Sequence, residues 1–111
     1  MDNIKNNIYY IQKIITDLSF VVDHTKKLTQ KEFETNELLI DSVMFRLIQV
    51  SENSSKLTDD FKEHYTFIPW RAIRGLRNRI VHEYGNVDLG VVYDTVQMDI
   101  PELLSELKQI L

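Results

Sequence analysis

The stretch from Gly75 to Gly85, GLRNRIVHEYG, gathers the residues best suited to act on a phosphodiester. It holds two of the three glycines of the chain, together with Arg77, Arg79 and His82, and Tyr84 stands two residues past the histidine. Arg71 and Arg74 lie just upstream, so four arginines and no acid fall between Arg71 and Val81. On a helix, residues four apart share a face, which stacks His82 on Asn78 and continues the stripe through Arg74 and Arg71. Arg77 stands about 100° round from Asn78, within reach for a long side chain. RNA cleavage without a metal needs a base for the 2′-hydroxyl proton, an acid for the leaving oxygen and a cation for the pentacovalent phosphate. Histidine titrates in the right range, and arginine forks onto two phosphate oxygens. One histidine and one arginine supply half of a two-histidine arrangement; a symmetric dimer that sets two such segments face to face supplies the rest. Gly75, inside the same helix, either admits a second backbone or packs within its own bundle. An ordinary helix end with a solvated basic face accounts for the same residues, because an Arg and a His five apart are common.

The elements that must position this segment read as helices. Three glycines and two prolines in 111 residues leave little punctuation for strands and hairpins. Ile4, Ile8, Ile11, Ile15, Leu18 and Val22 step alternately by four and three, which predicts a first helix with one apolar seam. A second helix is expected after Thr29, an N-cap with Glu32 in capping-box position, with Phe33, Ile40, Val43, Met44, Leu47 and Val50 on its apolar face and its end near Ser54. A polar connector follows, with a short helical stretch that Thr58 can cap. Pro69 suits the first turn of the next helix, through Trp70, Ile73, Leu76 and Ile80, which should stop by Gly85. Asp88 is the N-cap of a last helix from Leu89 to Leu111, and Pro101 should kink or split it. The reading is all-α, an antiparallel bundle of four to five helices forming one domain over residues 1–111.

Composition narrows the function classes. Hydrophobic residues make up 43% and charged residues 27%, as in globular chains, and the absence of cysteine excludes a disulfide framework, a zinc ribbon and a thiol nucleophile. A net charge of −4 argues against a protein that coats nucleic acid, which relies on a broad basic surface. A local patch is compatible with it. The N-terminus MDNIKNNIYYIQKII has no apolar leader segment, and no run approaches the roughly 20 apolar residues of a membrane span. The expectation is a cytoplasmic protein that meets no membrane.

The residues IPWRAIRGLRNRIVHEY, followed by Val87 and Asp88, closely resemble the HepT-like toxins of the HEPN superfamily, marked by Arg, four residues, His, one residue, Tyr. Arg77, His82 and Tyr84 fit that spacing, and Asn78 is the polar residue often found directly after the arginine. Ile68, Pro69 and Trp70 match the lead into this helix. Arg46 and Glu52, in FRLIQVSE, match a second-helix pattern of Arg, five residues, Glu; Ser51 departs from it, since many relatives carry glycine there, and touches helix packing more than the site. The similarity runs from about Phe33 to the C-terminus. It implies a HEPN-like helical homodimer, a metal-independent endoribonuclease site at a composite cleft, no cofactor, and a genomic partner, the MntA-type minimal nucleotidyltransferase, which neutralises such toxins by transferring AMP to the motif tyrosine, here Tyr84. The whole would be a type VII-like toxin-antitoxin pair.

On that reading His82 is the general base or acid, Arg77 stabilises the phosphate, Asn78 orients one of them, and Arg71, Arg74 and Arg79 bind RNA. Arg46 and Glu52 support the site by holding the third helix or the Arg77 side chain. The rival is a non-catalytic helical dimer whose basic stripe docks a nucleotidyltransferase or a nucleotide. His24 reads as a surface or helix-end residue beside Asp23, and His64 has no second histidine at metal spacing, so no metal site is expected. Trp70 reads as a core or interface anchor.

Overall fold

A computed structural model describes the backbone of residues 2–82 and 88–111, and the side chains of all of these except residues 2–4, 77 and 79–82. Among the described residues every regular element is helical. Four long elements, α1 (Asp2–Thr25), α3 (Glu37–Ser54), α5 (Trp70–His82) and a C-terminal rod, are joined with the short α2 (Gln30–Glu34) and α4 (Asp59–His64). The rod comprises α6 (Leu89–Asp94), a wide turn (Thr95–Asp99) and α7 (Ile100–Lys108). In packing order, α5 lies on α3, α3 on α1, and α1 on α7.

The stripe that α1 buries is Asn7, Ile11, Ile14, Leu18, Val21 and Thr25. Of the predicted seam, Ile11 and Leu18 lie on this stripe, Ile8 is half-buried, and the side chain of Ile4 falls outside the described residues. Ile15 and Val22 flank the stripe half-buried. The apolar face of α1 is broader than one seam, and α3 and α7 press on its other edge, so the centre of burial is shifted by one residue. α3 supplies Val43, Met44, Leu47 and Val50, α5 supplies Ile73 and Leu76, and α7 supplies Ile100, Leu103, Leu104 and Leu107. Burying one such side chain contributes about 1.5–3 kcal/mol.

The helix expected from Thr29 to Ser54 is two helices. Thr29 does form the capping box, its hydroxyl accepting from Glu32 N–H at 3.2 Å while its own N–H donates to Glu32 Oε1 at 2.9 Å. At Thr35 the helix stops, and Asn36 starts α3 by accepting from Leu39 N–H at 3.1 Å. An asparagine that can cap competes with helix continuation, and here the cap prevails. The Thr29 backbone N–H, followed by its hydroxyl, holds the Glu32 carboxylate below the usual glutamate range. A lowered carboxylate contributes stability above its ordinary range and loses it as the pH falls through the lowered value. Thr29→Ala is therefore expected to cost about 1 kcal/mol, the usual loss of an N-cap, with thermal unfolding read at neutral pH. Alanine keeps the backbone N–H and loses the hydroxyl's smaller share, so the gap to the unsubstituted protein should narrow modestly in acid; a gap independent of pH would show that the hydroxyl does not act through the carboxylate.

Thr58 caps α4, accepting from Phe61 N–H at 3.3 Å, and exchanges hydrogen bonds with Asn7 of α1 at 3.0 and 3.1 Å. Pro69 sits at the start of α5, where its carbonyl accepts from Ile73 N–H at 3.1 Å. Asp88 Oδ1 accepts from Gly90 and Val91 N–H at 2.9 and 3.2 Å, capping α6 as expected. Pro101 does not split the rod. It offers no N–H to the carbonyl four residues back and its ring crowds that carbonyl. The π-type turn over Thr95–Asp99, where Ile100 N–H reaches Thr95 O, widens the helix just ahead of the proline and carries the chain past it.

Candidate functional site

α5 is amphipathic in the way its arginines require. Ile73 and Leu76 are buried, whereas Arg71, Arg74 and Asn78 are exposed on one side. Arg77 and His82 lie on the same helix, on backbone that is described to His82, so the helical phase that stacks His82 on Asn78 holds. The side chains of Arg77, Arg79 and His82 fall outside the described residues, as does all of Tyr84.

Among the described residues, no acid forms an ion pair with Arg71 or Arg74; the ion pairs there are Lys26 with Asp23 and Arg46 with Asp17. No acid stands in the first turn of α5. Arg71 thus sits in the first turn, near the positive end of the helix dipole, an arrangement that costs a few tenths of a kcal/mol where it is not offset by an anion.

Two neighbours fix the helix. Ser51 of α3 donates its hydroxyl to the Arg74 backbone carbonyl at 3.0 Å, so the serine at the departure from the family pattern ties α3 to the middle of the arginine stripe. Trp70, half-buried, donates its indole N–H to the carbonyls of Lys62 and Tyr65 at 3.1 and 3.0 Å. That bond closes the C-terminal end of α4 onto the first turn of α5. The sequence marked Trp70 as an anchor, but its partners lie five and eight residues back, and nothing in the local pattern names them.

The supporting pair is divided. Arg46 turns to α1, with Nη1 2.8 Å from Asp17 Oδ1 and its guanidinium 4.1 Å from the Phe20 ring centroid. Its described contacts are with α1; the sequence assigns it to the helix after Pro69 or to the Arg77 side chain, which falls outside the described residues. Glu52 is half-buried next to Ser51, at the seam with α5, and is not a free carboxylate. His24 lies in the last turn of α1, its Nδ1 2.8 Å from Phe20 O and its ring stacked on Phe20. Gly75 has open space around it: among the described residues, a Cβ built there meets nothing within 4 Å apart from its own helix, so packing against these residues does not explain the glycine. No helix among the described residues is long and apolar enough to cross a membrane.

Comparison with known proteins gives one consistent family. The family described as Ribonuclease HepT-like matches residues 10–110. A protein of Methanocaldococcus jannaschii named "Gamma-glutamylcyclotransferase and putative RNase" is 31% identical over 102 residues, 92% of this chain but 46% of its own length, so the chain spans about half of that relative. One from Caldanaerobacter subterraneus subsp. tengcongensis, with the same RNase designation, is 28% identical over 92% of this chain and 91% of its own. "Probable ribonuclease HepT" of Thermococcus cleftensis is 27% identical over 91% of this chain and 92% of its own. No solved structure matches.

Proposed function

From its membership of the HepT-like ribonuclease family, to which this chain belongs, we propose that the protein is a cytoplasmic, metal-independent endoribonuclease toxin acting as a homodimer. The observation that carries the reading is the exposed stripe of Arg71, Arg74 and Asn78 on α5, whose arginines pair with no acid among the described residues, continued by helical phase to His82. A phosphate backbone is the counter-charge such a stripe fits. In the reaction His82 takes the 2′-hydroxyl proton or returns a proton to the leaving oxygen, and Arg77 forks onto the phosphate as charge builds on it. Asn78 orients one of them, and Arg79 adds to the RNA surface. Since one chain brings one such set, the second comes from a second copy, and the open space at Gly75 suits the close approach of another helix. An MntA-type nucleotidyltransferase that transfers AMP to Tyr84 is the proposed antitoxin.

The test is direct. Purified protein incubated with RNA should generate internal cuts at the same rate with and without EDTA, and products should end in a 2′,3′-cyclic phosphate because the 2′-oxygen is the nucleophile. Binding without cutting would instead favour the non-catalytic dimer. Light scattering should give twice the chain mass of 13.1 kDa at micromolar concentration; a single-chain mass would remove the composite site.

A further inference from the structure

A cavity of about 190 Å³ opens where α3, α4 and α5 meet, lined by Ser54, Ser55, Lys62, Trp70, Arg71 and Arg74. Its chemistry is one-sided: three cations, two hydroxyls, one indole and no carboxylate. Among the described residues no acid forms an ion pair with Lys62, Arg71 or Arg74. The hydroxyls are already committed as donors, Ser54 to Ser51 O at 2.8 Å and Ser55 to Glu52 O at 2.6 Å. The three cations therefore set what the cavity takes.

The cations come from two helices that are held together. Lys62 belongs to α4, whose start is tied to α1 through Thr58 and Asn7, and whose end is closed onto α5 by the Trp70 indole at the Lys62 carbonyl. Arg74 is held from behind by Ser51 at its own carbonyl. The backbone beneath all three charges is thus fixed before any ligand arrives, which lowers the ordering cost of binding. A water takes about 30 Å³ in the liquid, so the cavity has room for a phosphate group with its hydration partly replaced.

We propose that this cavity binds a phosphodiester of the RNA strand at a distance from the scissile bond, with Lys62 and Arg71 as its principal cations. The proposal rests on RNA being the substrate, and adds a subsite to it. From Arg71 to Arg77 the helix rises about 9 Å, and to His82 about 16 Å. At ~3.4 Å per stacked nucleotide, that places the bound phosphate about three to five nucleotides from the one being attacked. The site therefore selects for length: an RNA too short to reach the cavity gives up this contact and keeps the chemistry.

The experiment measures equilibrium binding of a short, uncleavable 2′-O-methyl RNA across a salt series, and cleavage of the matching natural RNA. Lys62→Ala should raise Kd and KM about 10-fold with kcat nearly unchanged, Arg71→Ala should raise Kd by a similar factor, and each should flatten the slope of log Kd against log salt by about 0.7 to 1. The doubly substituted protein should lose less than the product of the two effects, because both cations serve one phosphate. Lys62→Arg should restore binding, which separates lost charge from lost fold. RNAs shortened past the cavity should bind the unsubstituted protein and Lys62→Ala equally. Unchanged Kd and salt slope in both alanine variants, with the unsubstituted protein still cutting RNA, would overturn the subsite alone; an unsubstituted protein that neither binds nor cuts RNA would overturn both readings.

Discussion

Replacing His82 with alanine is expected to lower RNA cleavage by at least about 10²-fold, the ordinary contribution of a positioned acid or base, and to abolish toxicity in the producing cell. Helical content and melting temperature should stay nearly unchanged. The expectation follows from the helix: His82 lies at the end of α5, in phase with exposed Asn78 and Arg74, while Ile73 and Leu76 carry the packing. A residue out of phase with the buried Ile73 and Leu76 is expected to contribute little to stability, so activity and fold should separate. Arg77→Lys belongs in the same experiment. A lysine keeps the charge but loses the fork, so cleavage should remain well below that of the unsubstituted protein. Circular dichroism and thermal melts check the fold; loss of structure in His82→Ala would make the histidine structural.

Adenylylation of Tyr84 should remove the activity as completely. The tyrosine stands two residues past His82 in the sequence, and AMP attached to its hydroxyl brings a phosphodiester charge and an adenosine to the segment that holds Arg77. That phosphate competes with the RNA backbone for the same arginines, and the nucleoside occupies the path of the strand. In the transfer, the tyrosine oxygen attacks the α-phosphorus of ATP and pyrophosphate leaves. A nucleotidyltransferase partner with ATP should therefore add one or more AMP units, located at Tyr84 by peptide mass spectrometry. Tyr84→Phe should resist the modification and go on cutting. AMP found on another residue, or a modified protein that cuts at the unmodified rate, would rule this mechanism out.

Much of this fold was legible because its signals are local. The caps at Thr29, Thr58 and Asp88 each need only a side chain and the next few amides, and each is made as the sequence indicates. The apolar faces of α3 and α5 were legible as well, since periodicity records which side of a helix is buried. What escaped depends on partners. Asn36 is both a tolerable helix residue and a good cap, and only the packing of α2 decides between them. The burial centre of α1 depends on where α3 and α7 lie. Pro101 announces a defect but not the wide turn that absorbs it one turn earlier. At the site, the arginine stripe was visible as spacing, whereas Lys62 joins it only because Trp70 folds α4 back onto α5. Arg46 shows the converse, a residue marked by pattern whose contacts lie on α1.

The end of α1 carries one more consequence. It has no glycine cap; Val22 O and Thr25 O accept locally from Lys26 and Leu28 N–H at 3.0 and 3.1 Å, while Gln97 Nε2 also reaches Thr25 O at 2.6 Å and the Tyr93 hydroxyl donates to Leu28 O, just past the helix, at 2.6 Å. Much of the buried stripe of α1 is also covered by α7. During synthesis, α1 must therefore wait for α7, some 75 residues further on, before its apolar side is closed. At about 5–20 residues per second that interval is several seconds, during which the chain exposes an unfinished core to chaperones and proteases. Assembled in this order, the chain exposes α5 before its scaffold is complete; for the ribonuclease toxin proposed above, the C-terminal rod would set the moment at which activity begins.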